Sequence, residues 1–61
     1  MAHMILGHLK VNNVPAIGDW DGRYMVVRLV DGELWYYGIY DEEERANAAV
    51  DELGNAFIFR G

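Results

Sequence analysis

Two β-rich runs, YMVVRLV (Tyr24–Val30) and ELWYYGIY (Glu33–Tyr40), stand on either side of Asp31-Gly32. A two-residue Asp-Gly connection between such runs favours a type I′ hairpin, because both central residues take positive φ and the turn follows the twist of the strands. This register pairs Val30 with Glu33, Leu29 with Leu34, Arg28 with Trp35, Val27 with Tyr36, Val26 with Tyr37 and Tyr24 with Ile39. Directly opposed residues share a face. One face is then expected to carry Met25, Val27, Leu29, Leu34, Tyr36 and Tyr40. The other carries Tyr24, Val26, Arg28, Val30, Glu33, Trp35, Tyr37 and Ile39.

The rest of the chain divides around this hairpin. Residues 5–11 alternate in the period-two manner of a strand, and Asn12-Asn13 reads as a turn. Residues 14–21 hold the sole proline, Pro15, and Gly18, so they read as a loop, with Trp20 as its anchor to the core. Residues 41–53 read as a helix. Asp41 is its expected N-cap and Glu44 completes a capping box. Ala46, Ala49, Val50 and Leu53 form one apolar stripe, and Gly54 stands at the expected C-terminal stop. Ala56-Phe57-Ile58-Phe59 reads as a terminal strand.

The expected fold is α+β: a small antiparallel sheet in the order β-ββ-α-β with one helix packed on one face. The aliphatic face of Met25, Val27, Leu29 and Leu34 suits the small residues of the helix stripe. MAHM has the look of a cloning remnant over residues 1–3, leaving residues 4–61 as a single small domain.

One helix covers one sheet face, yet both faces of this hairpin are apolar. Tyr24, Val26, Arg28, Trp35, Tyr37 and Ile39 therefore form a candidate interface. Three covers are open: the loop of residues 14–20, a second copy of the chain, or a foreign protein. On this face Arg28 is expected to lie against Trp35 and diagonal to Glu33, giving a cation–π contact and an ion pair.

Composition limits the chemistry. The 61 residues include no cysteine, serine, threonine or glutamine, so every common hydroxyl or thiol nucleophile except tyrosine is missing. His8 is the one histidine outside the presumed remnant and reads as an exposed strand residue, since transition-metal sites take three or four ligands. The run Asp41-Glu42-Glu43-Glu44 lacks the spacing of a calcium loop and fits a helix start. Asp19 and Asp21 read as solvated turn formers rather than an acid–base pair. Gly18, Gly22 and Gly32 are isolated turn glycines, not a phosphate loop. We expect no catalytic, cofactor or metal site.

Ten acidic residues against five basic give a net charge of −5. Direct nucleic-acid binding is disfavoured, because such platforms need a positive groove. The converse is physically coherent: Glu42, Glu43, Glu44, Asp51 and Glu52 give the helix an acidic surface suited to a basic groove on another protein. No apolar run approaches the roughly 20 residues of a membrane span, and the lack of cysteine suits a reducing cytoplasm. A chain this short without disulfides gains stability margin from a partner subunit, so a homodimer is also expected.

Residues 22–53, GRYMVVRLVDGELWYYGIYDEEERANAAVDEL, resemble the repeat of the YegP-like family through Gly22, Asp31-Gly32, Tyr40 and the alanine-containing helix from Ala46 to Val50. The resemblance implies a ββα unit that pairs with a second copy. YDEEERANAAVDEL is also similar to the endings of many short phage-encoded proteins. The expectation is a small acidic, non-enzymatic protein-binding module, in its most specific form a phage or mobile-element inhibitor of a host protein in the bacterial cytoplasm. The alternatives are a homo-oligomeric accessory domain that uses its own aromatic face as the interface, and a nucleic-acid-associated βββα module.

Overall fold

The computed structural model describes the backbone of residues 2–6 and 9–61 and the side chains of residues 9–61. The elements are β1 (Ala2–Leu6), β2 (Leu9–Val14), β3 (Tyr24–Val30), β4 (Glu33–Tyr40), α1 (Glu43–Leu53) and β5 (Ala56–Arg60). The five strands form one sheet in the order β1-β2-β4-β3-β5, with α1 packed on one face. This is the small α+β architecture expected from the sequence. It differs in one pairing, since β2 runs parallel to β4 through Val11↔Leu34 and Asn12↔Trp35. The loop after β2 carries the chain past the site of β4 to begin β3. The hairpin then returns β4 into the gap, running in the direction of β2.

The N-terminal strand expected over residues 5–11 is two strands. β1 and β2 pair antiparallel from Leu6↔Leu9 outward. Ala2 and His3, set aside above as remnant residues, pair with Val14 and Asn12. His8 lies outside the described residues. Asn12 and Asn13 do not end the strand. The register steps past Asn13, whose φ of 64° is a left-handed value that asparagine tolerates better than most residues.

The hairpin turn has the expected conformation, with φ of 51° at Asp31 and 79° at Gly32. Its register holds from Val30↔Glu33 to Val27↔Tyr36. There it slips. Val26 pairs with Gly38, Met25 with Ile39 and Tyr24 with Tyr40, so Tyr37 is an extra residue bulged out of β4. Beyond the bulge the side chains exchange faces relative to simple alternation. Ile39 joins Met25, and Tyr40 joins Tyr24.

This exchange decides where the helix sits. Val26, Ala46 and Ala56 are buried together, with Tyr24, Tyr40, Ala49, Val50, Leu53 and Ile58 around them. The expected stripe therefore packs as a stripe, but on the face of Val26 rather than that of Met25 and Val27. Gly38, paired with Val26, supplies a flat floor there. A Cβ on Gly38 would stand 3.1 Å from the Tyr40 hydroxyl oxygen and 3.2 Å from ring carbon Cε2. The other face is already filled. Val11, Val14, Met25 and Val27 form its buried core, and Ile17 and Trp20 close the loop over it. The loop thus covers the aliphatic face, not the aromatic one. Trp20 anchors it as expected, its carbonyl accepting from the Arg23 N–H at 3.0 Å.

The helix starts one residue later than expected. Glu42 is the N-cap and makes no side-chain capping bond. Asp41 is engaged elsewhere, its Oδ1 accepting from Arg23 Nε at 2.7 Å. At the far end the Gly54 N–H donates to the Val50 carbonyl at 2.9 Å with φ of 82°, the glycine stop that the sequence indicates.

Because Tyr36↔Val27 and Gly38↔Val26 are already consecutive rungs, removing one tyrosine of the Tyr36-Tyr37 pair leaves a strand in regular alternation. We expect this deletion to retain cooperative urea unfolding at a cost of about 1–3 kcal/mol. Deleting Ile39, which lies past the bulge, is expected to abolish the transition. Loss of folding in the tyrosine deletion would refute the bulge as a separable insertion.

Candidate interaction surfaces

The two covers leave one end of the sheet bare. The α1 cluster lies over Tyr24, Val26, Tyr40 and Ile58, and the loop cluster gathers around Met25, Val11 and Phe59. At the Asp31-Gly32 end, Leu9, Leu29, Val30, Trp35, Tyr37 and Phe57 are all exposed. These apolar side chains fall on both faces of the same end.

On the loop face, Leu9, Leu29, Leu34, Phe57 and Phe59 line an open groove of about 430 Å³. A smaller hollow of about 210 Å³ beside it adds Lys10, Asn12 and Glu33. The larger groove has no titratable group in its lining. It suits an apolar side chain better than a reacting polar one.

Two asparagines hold this end in shape. Asn12 Nδ2 donates to the Leu34 carbonyl at 3.2 Å and to Glu33 Oε1 at 3.4 Å, tying β2 to β4 where the parallel ladder is short. Asn55 Nδ2 donates to the Leu29 carbonyl at 2.7 Å, and the Leu29 N–H donates to the Asn55 carbonyl at 2.8 Å. Leu29 and Leu34 are opposite each other in the hairpin. Their rung is therefore held from both sides. The sequence indicates only a turn at Asn12 and no role for Asn55. The available signal was asparagine beside strand residues, where it is depleted unless its side chain bonds backbone.

On the helix face, the six candidate interface residues separate. Val26 is fully buried beneath α1, and Tyr24 is half-buried in the same cluster. Ile39 is half-buried and stands opposite Met25, on the other face. The exposed remainder is Arg28, Trp35 and Tyr37, the two aromatics being 37% and 46% exposed. The Arg28 guanidinium lies 5.9 Å from the Tyr37 ring centroid, so its cation–π partner is Tyr37 and not Trp35. Tyr37 keeps the face that alternation from Trp35 gives it. The expected Arg28–Glu33 ion pair is absent among the described residues, whose pairs are Arg23–Asp41 and Arg45–Glu42.

Glu42, Glu43, Glu44, Asp51 and Glu52 are all exposed on α1. Glu43 and Glu44 sit in the first turn, where the helix dipole favours them; the last turn has no basic residue. Asp19 caps its own turn, its Oδ1 accepting from the Asp21 N–H at 3.0 Å. Among the described residues no group of three or more histidine, cysteine or acidic side chains is placed to share an ion, and no helix is long and apolar enough to cross a membrane. The chain matches no family model, no curated protein and no solved structure.

One titrating group reports on the packing. Burial raises the Tyr36 phenol above its ordinary value of 10.0, Tyr40 adding to the shift and Arg23 opposing it. A raised phenol holds its proton longer folded than unfolded. Its contribution to stability is therefore complete below about pH 10 and is lost as pH climbs through the folded value. We expect a late phase in the tyrosinate absorbance titration that disappears in Tyr36→Phe. A titration unchanged by that substitution would contradict the burial of this ring.

Proposed function

We propose that the chain is a non-enzymatic protein-binding module. The observation that carries this reading is the bare apolar end of the sheet, where Trp35, Tyr37, Leu29 and Val30 remain exposed around a rung pinned by Asn12 and Asn55. Exposed apolar patches on small proteins commonly mark interaction sites, and tryptophan and tyrosine dominate binding energetics when a partner desolvates them.

The partner class follows from charge. Five exposed carboxylates on α1 share the helix face of the sheet with Trp35 and Tyr37, and the whole chain carries −5. This favours a basic partner, approached quickly by electrostatic steering and held by the aromatic anchors. In its most specific form, the module is a phage or mobile-element product that occupies a basic groove of a bacterial host protein. Direct nucleic-acid binding is the poorer reading, since the same carboxylates repel phosphate.

Affinity capture from bacterial lysate tests the proposal. Wild-type protein is expected to retain a specific basic protein, more weakly as salt is raised. Trp35→Ala and Tyr37→Ala are each expected to reduce retention by about tenfold or more, in line with loss of an interface anchor, while circular dichroism stays unchanged. Retention indifferent to both substitutions, or no specific retention, would overturn the reading.

A further inference from the structure

The outer side of β5 holds a second pattern, fixed by hydrogen-bond parity. The Gly61 N–H donates to the Arg23 carbonyl at 2.9 Å, and the Leu29 N–H donates to the Asn55 carbonyl at 2.8 Å. Both rungs lie on the uninterrupted antiparallel register of β3 and β5, which runs from Tyr24↔Arg60 to Arg28↔Ala56. Antiparallel rungs alternate between bonded and non-bonded pairs. Phe57 and Phe59 therefore bond inward to β3. Ala56, Ile58 and Arg60 direct their N–H and C=O groups outward, where no described strand lies.

We propose that this edge is a self-association seam, on which β5 of a second copy pairs antiparallel about a two-fold axis at Ile58. The parity is self-complementary. Centring on Ile58 sets Ile58 against Ile58 and Ala56 against Arg60, twice, and every one of these residues has outward donors and acceptors. Three bonded pairs exchange about six hydrogen bonds. The intervening rungs set Phe57 of each copy against Phe59 of the other, in the closer non-bonded spacing where side chains interact most. Phe57 is 51% exposed on the groove face, so the pairing gives this ring an aromatic neighbour.

At the seam itself, local charge fits a second copy of this chain, against the long-range repulsion of two chains of −5. Arg60 is the only charged residue of β5. In the pair it lies opposite Ala56, two residues after Gly54, on the face where α1 ends. That helix end carries Asp51 and Glu52 and no basic residue in its last turn. The partner copy supplies the cation that the helix C-terminus lacks. The edge also lacks the usual protection, having no proline, no bulge and no charge before Arg60. A C2 pairing satisfies both copies at once and closes the assembly.

Sedimentation equilibrium of the full chain, from micromolar to millimolar concentration, tests the seam. The expected result is a dimer of twice the 7.0 kDa chain mass. Phe57→Lys is expected to weaken association at least about tenfold, consistent with charge on an exposed edge. Arg60→Pro is expected to do the same, because it removes an outward N–H and leaves the ladder to β3 intact. That second variant serves if Phe57→Lys fails to fold. In a mixed-label wild-type sample, an intermolecular NOE between Phe57 Hα and Phe59 Hα is expected. Trp35→Ala is expected to leave dimerisation unchanged, which separates this seam from the partner surface proposed above. A monomer throughout, or a dimer indifferent to both edge variants, would overturn it. So would a dimer broken by Trp35→Ala, which would put the interface on the aromatic face.

Discussion

The bulge at Tyr37 is the constraint on which the arrangement of this chain depends. One extra residue in β4 converts a hairpin with two competing apolar faces into a sheet with two assigned ones. Tyr40 and Gly38 fall beside Val26 and make the floor for α1. Ile39 falls beside Met25 on the face the loop encloses. A one-residue slip reverses every side chain beyond it. Without the bulge, Tyr40 would stand among Met25 and Val27, and Ile39 would take its place under the helix. The small stripe of Ala46 and Ala49 fits where it does because Gly38 and Ala56 let the helix approach and Tyr40 fills the remaining space.

The same division explains why one end of the sheet remains apolar and uncovered. The helix crosses the sheet from the end of β4 at Tyr40 to the start of β5 at Ala56, beside Arg28, so it covers Val26 and Ile58 and leaves Trp35 on β4 bare; it begins at the end of Tyr24 and Tyr40. The loop before β3 is fastened near the same end, through Trp20, Arg23 and the Gly61 rung. A Cβ on Gly61 would collide with the Trp20 carbonyl oxygen, so close contact holds this corner. The turn end instead relies on hydrogen bonds from Asn12 and Asn55 to the Leu29–Leu34 rung. Its exposed side chains thus stand on backbone that is already ordered, and an ordered surface loses less entropy when it binds.

What could be read in the sequence was what local chemistry decides. Asp31-Gly32 specified its turn, Gly54 its helix stop, and Ala46, Ala49, Val50 and Leu53 their common stripe, because each depends on neighbours within a few positions. The bulge was hidden for a physical reason. Tyr36, Tyr37, Gly38 and Ile39 have ordinary strand composition, and nothing in period two marks which of them lacks a partner. The expected faces of Ile39 and Tyr40 inherited that error, whereas Val26 keeps its expected face and leaves the interface because α1 covers it. Asn12-Asn13 carried a genuine turn preference, which was spent on a local irregularity inside β2. The parallel contact of β2 with β4 joins residues more than 20 positions apart and left no local trace. The exposure of the carboxylates on α1 follows from helix phase, and the common face of Trp35 and Tyr37 follows from strand alternation.

The two proposed contacts differ in their physics, and that difference keeps them compatible. The acidic helix surface attracts a basic protein over distances of a Debye length, so raising salt weakens it. Two copies that each carry −5 repel one another over the same range, so raising salt strengthens an edge pairing built from backbone bonds and phenylalanine contact. The seam uses residues 56–60 of β5, with Phe57 and Phe59 in its intervening rungs, whereas the partner surface uses Trp35, Tyr37 and the outer side of α1. In the sheet order β3 lies between β5 and β4, so closing the seam leaves Trp35 and Tyr37 on a separate strand. A dimer joined along β5 would present two such surfaces related by the two-fold axis. A partner with two basic sites would then gain from simultaneous engagement, and modest affinity at each aromatic end would suffice for firm retention.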